Sequence, residues 1–150
     1  MERILSVEEK VVLIVEEFFE NIESKEPFAY HLEDYRFRLR SKLLELLTQF
    51  TDSKSANASF DSALEGILVC VEKRLNSVDF ENEKELRRFL EAVEKTNELL
   101  KEFLEGDRIK DKSVLSKVSG KLGMLAEELR LEINKRFGGL LKRIKRFFRK

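Results

Sequence analysis

Eight of the 29 Lys and Arg residues fall within the last sixteen positions, residues 135–150, where no Asp or Glu occurs. They are Lys135, Arg136, Lys142, Arg143, Lys145, Arg146, Arg149 and Lys150. The remaining 134 residues carry 21 basic side chains against 29 acidic ones, so a chain of zero net charge is an acidic body of −8 joined to a basic segment of +8. A block of like charge marks an interaction segment. Interleaved with the cations are Phe137, Leu140, Leu141, Ile144, Phe147 and Phe148. Advancing about 100° per residue from Leu140 gathers Leu140, Leu141, Ile144, Phe147 and Phe148 within a third of a helical circle, and the cations take the rest. Ile133 and Phe137 join the apolar face if the helix continues through Gly138 and Gly139. Otherwise the glycines form a hinge.

A helix with bulky apolar side chains on one face and dense Lys/Arg on the other is built to lie in a membrane interface. Each cation near an anionic leaflet contributes about 1 kcal/mol, and each partly inserted Phe or Leu on the order of 1 kcal/mol or more. The cost of ordering the segment opposes both, so binding is expected to be peripheral and reversible. In composition and wheel the segment resembles basic amphipathic antimicrobial peptides. The same residues support three other expectations: the apolar face packs on the rest of the chain, the basic face neutralises nucleic-acid phosphates, or the segment docks in a partner's groove. The aromatic residues share one face and do not interleave with the cations, so no base-stacking surface is evident. Arg36, Arg38, Arg40 and Lys42 supply a second basic patch or a solvated helix face.

Other chemistry-bearing residues are sparse. His31 is the sole histidine and Cys70 the sole cysteine, which excludes paired Glu-x-x-His di-iron motifs, multi-Cys/His zinc sites and an internal disulfide. Cys70 lies in an apolar run and reads as a small hydrophobe. His31 reads as an exposed or capping residue. No phosphate-binding glycine motif occurs. Glu17 with Glu20, and Glu91 with Glu94, place carboxylate pairs on one helical side. All-α pyrophosphatases hold magnesium with such pairs, but the accompanying Glu-x-x-Asp pattern is missing. The expectation is no enzyme activity, no metal and no cofactor.

The elements that position these residues are helical. Ser6 with Glu9 is a capping-box pattern, followed by an apolar face of Val7, Val11, Ile14, Val15, Phe18, Phe19 and Ile22. Leu13 falls outside that face, which suggests contacts on two sides of the helix. After Pro27, residues 28–50 carry a stripe of Phe28, Leu32, Tyr35, Leu39, Leu43, Leu46 and Phe50. Tyr30, Phe37 and Leu44 form a thinner line on the other side, read as covered by a neighbouring element in preference to a subunit contact. Residues 51–59, polar and small, read as a loop. Helices are predicted over residues 60–75, from the Asn82/Glu85 cap to Glu105 with Gly106 as the stop, and from near Ser113. In the last, Ser116, Ser119, Gly120 and Gly123 lie opposite the apolar stripe; they would allow a close helix approach or are simply exposed, and the simpler reading is preferred. Asn97 sits among apolar neighbours and needs a hydrogen-bond partner if buried.

No period-two alternation of strand length occurs, and a chain of 150 residues, 42% hydrophobic and 39% charged, suits a single core with a charged surface. The expected fold is an all-α, four- to five-helix bundle over residues 1–134 with a basic amphipathic C-terminal helix over residues 135–150. One Pro and two Met among many charged residues fit a thermophile's protein. No long apolar run or signal-peptide pattern appears, so the default location is cytoplasmic, peripheral at a membrane. The expected function is that of a non-enzymatic binding or adaptor protein on an anionic membrane surface. The alternatives are a small helical subunit of a nucleoprotein assembly, and a homo-oligomeric structural protein with the tail packed on the acidic body.

Overall fold

A computed structural model describes residues 4–138. Among the described residues the chain folds into five α-helices: α1 (Val7–Glu20), α2 (Phe28–Thr48), α3 (Ser53–Leu75), α4 (Glu83–Glu105) and α5 (Ser113–Phe137), with a short 3-10 turn at Ile22–Ser24. Successive helices reverse direction, so α1, α3 and α5 run one way and α2 and α4 the other. The pairings show it: Glu8 meets Ser59 and Ser62 of α3, and the Phe19 carbonyl meets Arg74. This is an all-α bundle.

Local chemistry sets the ends. At α1 the Ser6 hydroxyl accepts from the Glu9 amide and the Glu9 carboxylate accepts from the Ser6 amide, so two orphan donors are satisfied reciprocally. Asn82 caps α4 by accepting from the Glu85 amide, and α4 ends at Gly106. The segment read as a loop over residues 51–59 is instead mostly helix. Asp52 caps it by accepting from the Ser55 amide at 2.9 Å, and Ala56 is buried. The small polar residues between them make this first turn and a half look like a linker in sequence, although a cap is what starts a helix.

The core runs the length of the bundle. Phe18 stacks on Tyr35 with centroids 4.2 Å apart, Phe19 meets Phe89 edge-on, and Phe60 packs against Phe103. Val11, Val15, Leu39, Leu43, Leu64, Ile67, Leu86, Val93, Leu100, Leu115 and Leu122 are fully or almost fully buried around them. α1 is contacted by both α2 and α3, but at Val12 and not at Leu13, which faces outward. The Tyr30, Phe37 and Leu44 line is likewise not covered as expected. Leu44 packs partly on the core, whereas Tyr30 is 64% and Phe37 69% exposed. Among the described residues no helix is long and apolar enough to cross a membrane.

Candidate functional site

α5 continues past residue 134, so the basic segment begins within its last turn. Lys135 is exposed there. Arg136 is held by the bundle: its Nε donates to Glu132 at 2.7 Å, its Nη1 donates to Glu81 at 2.7 Å, and its guanidinium lies 5.4 Å from the Phe80 ring. Ile133 is buried and Phe137 is partly buried against the core. The helix stops at Gly138, whose φ of 61° lies in the left-handed region that glycine adopts without strain. Leu140, Leu141, Lys142, Arg143, Ile144, Lys145, Arg146, Phe147, Phe148, Arg149 and Lys150 lie outside the described residues.

The second basic cluster is largely neutralised by α4. Arg36 lies 3.5 Å from Glu98 and 3.1 Å from Glu102, and Arg40 donates to Glu102 at 2.8 Å. The Arg40 hydrogen bond holds the Glu102 carboxyl below the ordinary glutamate range. Lys95 donates to Glu33 at 2.8 Å, and that bond lowers Glu33 likewise. Lys42 bonds Glu45. Of the four cations, Arg38 alone has no partner among the described residues.

Two buried arginines were not legible as inward residues. Arg74 of α3 donates to the Phe19 carbonyl at 2.8 Å and reaches Glu23 and Glu85. Arg88 of α4 donates to the carbonyls of Ile22, Glu23 and Lys25, pairs with Glu26, and lies 4.7 Å from the Phe28 ring centroid. Their work is structural: they satisfy the carbonyls left without partners where α1 ends and the chain turns into α2. The cue was Glu23 and Glu26 in that connection, but the carbonyl acceptors are set by tertiary structure.

The remaining candidates for chemistry have local roles. Burial pushes the Cys70 thiol up to about 11, so it is protonated at neutral pH and a poor nucleophile. Burial also raises the Tyr35 hydroxyl, which shares a 2.7 Å hydrogen bond with Thr96. His31 is half-buried and meets Tyr30 edge-on. Glu20 lies 3.9 Å from Lys73, and Glu94 pairs with Arg130 at 2.7 Å. Among the described residues no group of three or more His, Cys, Asp or Glu side chains is placed to hold a metal ion. Asn97 is buried and accepts from the Ser119 hydroxyl at 2.7 Å. Ser119 is therefore buried between α4 and α5, contrary to the exposed reading, while Ser116 and Gly120 are exposed.

A surface depression beside α1 combines apolar and acidic side chains. Along α1, Leu5, Val12 and Leu13 form the apolar part of a cavity of about 310 Å³, and Glu8, Glu9 and Glu16 its acidic part. Compared with protein-family models, with curated proteins and with solved structures, the chain matches none.

Proposed function

We propose that this chain is a non-enzymatic binding or adaptor protein that attaches reversibly to an anionic membrane surface through its C-terminal segment. The observation that carries the reading is the segregation of charge and apolarity in residues 135–150, +8 with a bulky apolar face, against a body of −8. An interfacial helix needs both halves. Ile133 and Phe137 serve the core and Arg136 is engaged by Glu81 and Glu132, so insertion falls to Leu140, Leu141, Ile144, Phe147 and Phe148. The aromatic residues of the tail share one face and do not interleave with its cations, which favours lipid over a base-stacking nucleic acid.

Co-sedimentation with vesicles tests the reading. Phe147→Ala with Phe148→Ala should weaken partitioning onto anionic vesicles by roughly tenfold or more. Binding that is unchanged by these substitutions but falls steeply with salt on single- or double-stranded nucleic acid would instead support the phosphate-gripping alternative.

A second reading is favoured by the α1 depression. Its lining of apolar and acidic side chains matches a basic amphipathic segment, so the tail would pack on the acidic body of its own chain or a neighbouring copy. Under that reading Leu5→Ser with Leu13→Ser, which leaves the charge of the body unchanged, releases the tail and raises lipid binding several-fold. Under the first reading it leaves lipid binding unchanged.

A further inference from the structure

We propose that the outer face of α2 is a self-association surface, and that its occupant is α2 of a second copy of this chain, running antiparallel about a twofold axis near Phe37. Tyr30 and Phe37, two turns apart, stand on the ridge opposite the core at 64% and 69% exposure. Ser41 and Thr48 continue that ridge as small exposed residues, with Leu44 beside them, which leaves room for a second helix to approach. Large aromatics that bury area at little entropic cost are the residues that anchor interfaces.

The charges of α2 specify the occupant. Glu33, Arg36, Arg40, Lys42 and Glu45 are all paired within the chain. Asp34 and Arg38 are exposed, and neither has an ion-pair or hydrogen-bond partner among the described residues. At about 100° per residue they lie on the same flank of the Phe37 ridge, one turn apart. In a parallel twofold pair the two copies of this flank lie on opposite sides of the seam, so Asp34 and Arg38 do not meet across it. An antiparallel copy centred on Phe37 instead sets Asp34 within about 3 Å, measured along the axis, of Arg38 in the other copy, and does so twice by symmetry. Only the antiparallel pair therefore brings these two opposite charges together across the seam. A single helix face is smaller than the ~800 Å² per partner of a standard interface, so the dimer is weak and concentration-dependent.

Sedimentation equilibrium on the intact chain, up to roughly 200 µM as suits a weak interface, should show a reversible monomer–dimer equilibrium. Phe37→Glu should weaken it by about tenfold or more, with the melting temperature of the monomer unchanged because the side chain is exposed. Asp34→Arg and Arg38→Asp should each weaken self-association. A one-to-one mixture of the two variants should restore a dimer, since two arginines in one copy then face two aspartates in the other. A chain monomeric at every concentration overturns the proposal. So does a dimer indifferent to Phe37→Glu, or a variant mixture no tighter than either variant alone. None of these results depends on lipid binding.

Discussion

Single side chains carry much of the bundle's specificity. Arg88 answers three carbonyls at once, and a buried acceptor left without its donor costs more than the bond itself contributes. Arg88→Ala is expected to destabilise the fold by about 3 kcal/mol in urea denaturation, more than an ordinary truncation on a charged helix. Two helical glycines make an opposed pair. A Cβ at Gly66 would stand 2.6 Å from Val12 Cγ2, a stiff β-branched side chain, whereas a Cβ at Gly120 meets nothing within 4 Å. Gly120→Ala should therefore stabilise by about 0.5–1 kcal/mol, and Gly66→Ala should destabilise despite the same gain in helix propensity. Thermal melts of the two variants check the signs. At this scale the sequence was legible where the signal is local. Asn97 stood out as an inward polar residue, and its partner Ser119 is a small residue on the next helix. Arg74 and Arg88 did not stand out, because carbonyls some 55 and 66 positions away in the chain decide their burial.

Helix ends and helix pairings follow from short-range chemistry to different degrees. The caps at Ser6 and Asn82 and the stop at Gly106 could be read directly, because their partners lie three or four residues away. The cap at Asp52 was hidden by the Ser- and Ala-rich turn that follows it. Asn82→Ala should lower stability by about 1 kcal/mol, a fall in melting temperature of roughly 2–4 °C. The α2–α4 pairing adds a pH dependence. Glu33 and Glu102 have folded pKa values below the ordinary 4.5, first through hydrogen bonds from Lys95 and Arg40. A depressed carboxyl pKa contributes stability that is fully present above the unfolded value and is lost as pH falls through the folded one. Stability should therefore decline as pH drops below about 4.5, and Glu102→Gln should flatten part of that decline in denaturation curves collected from pH 6 to pH 2.

For the molecule as a whole, the fold class was legible because every long segment shows one helical period, and each stripe supplies core residues. The outward aromatics of α2 were less legible, since a seven-residue line reads the same whether it is covered or open. If the chain attaches to an anionic surface as proposed, the −8 body is repelled by it while the +8 segment is drawn to it, which would give attachment an orientation as well as a strength. If the chain pairs through α2, two such segments share one complex, and avidity raises the retention on a vesicle without any new contact. The most direct measurement is partitioning of the intact chain onto vesicles whose anionic lipid fraction is raised stepwise at fixed salt. Membrane attachment through the basic amphipathic segment predicts little binding to neutral vesicles, a steep rise with anionic fraction, and a fall on adding salt. Equal binding to neutral and anionic vesicles, or no binding to either, would contradict it.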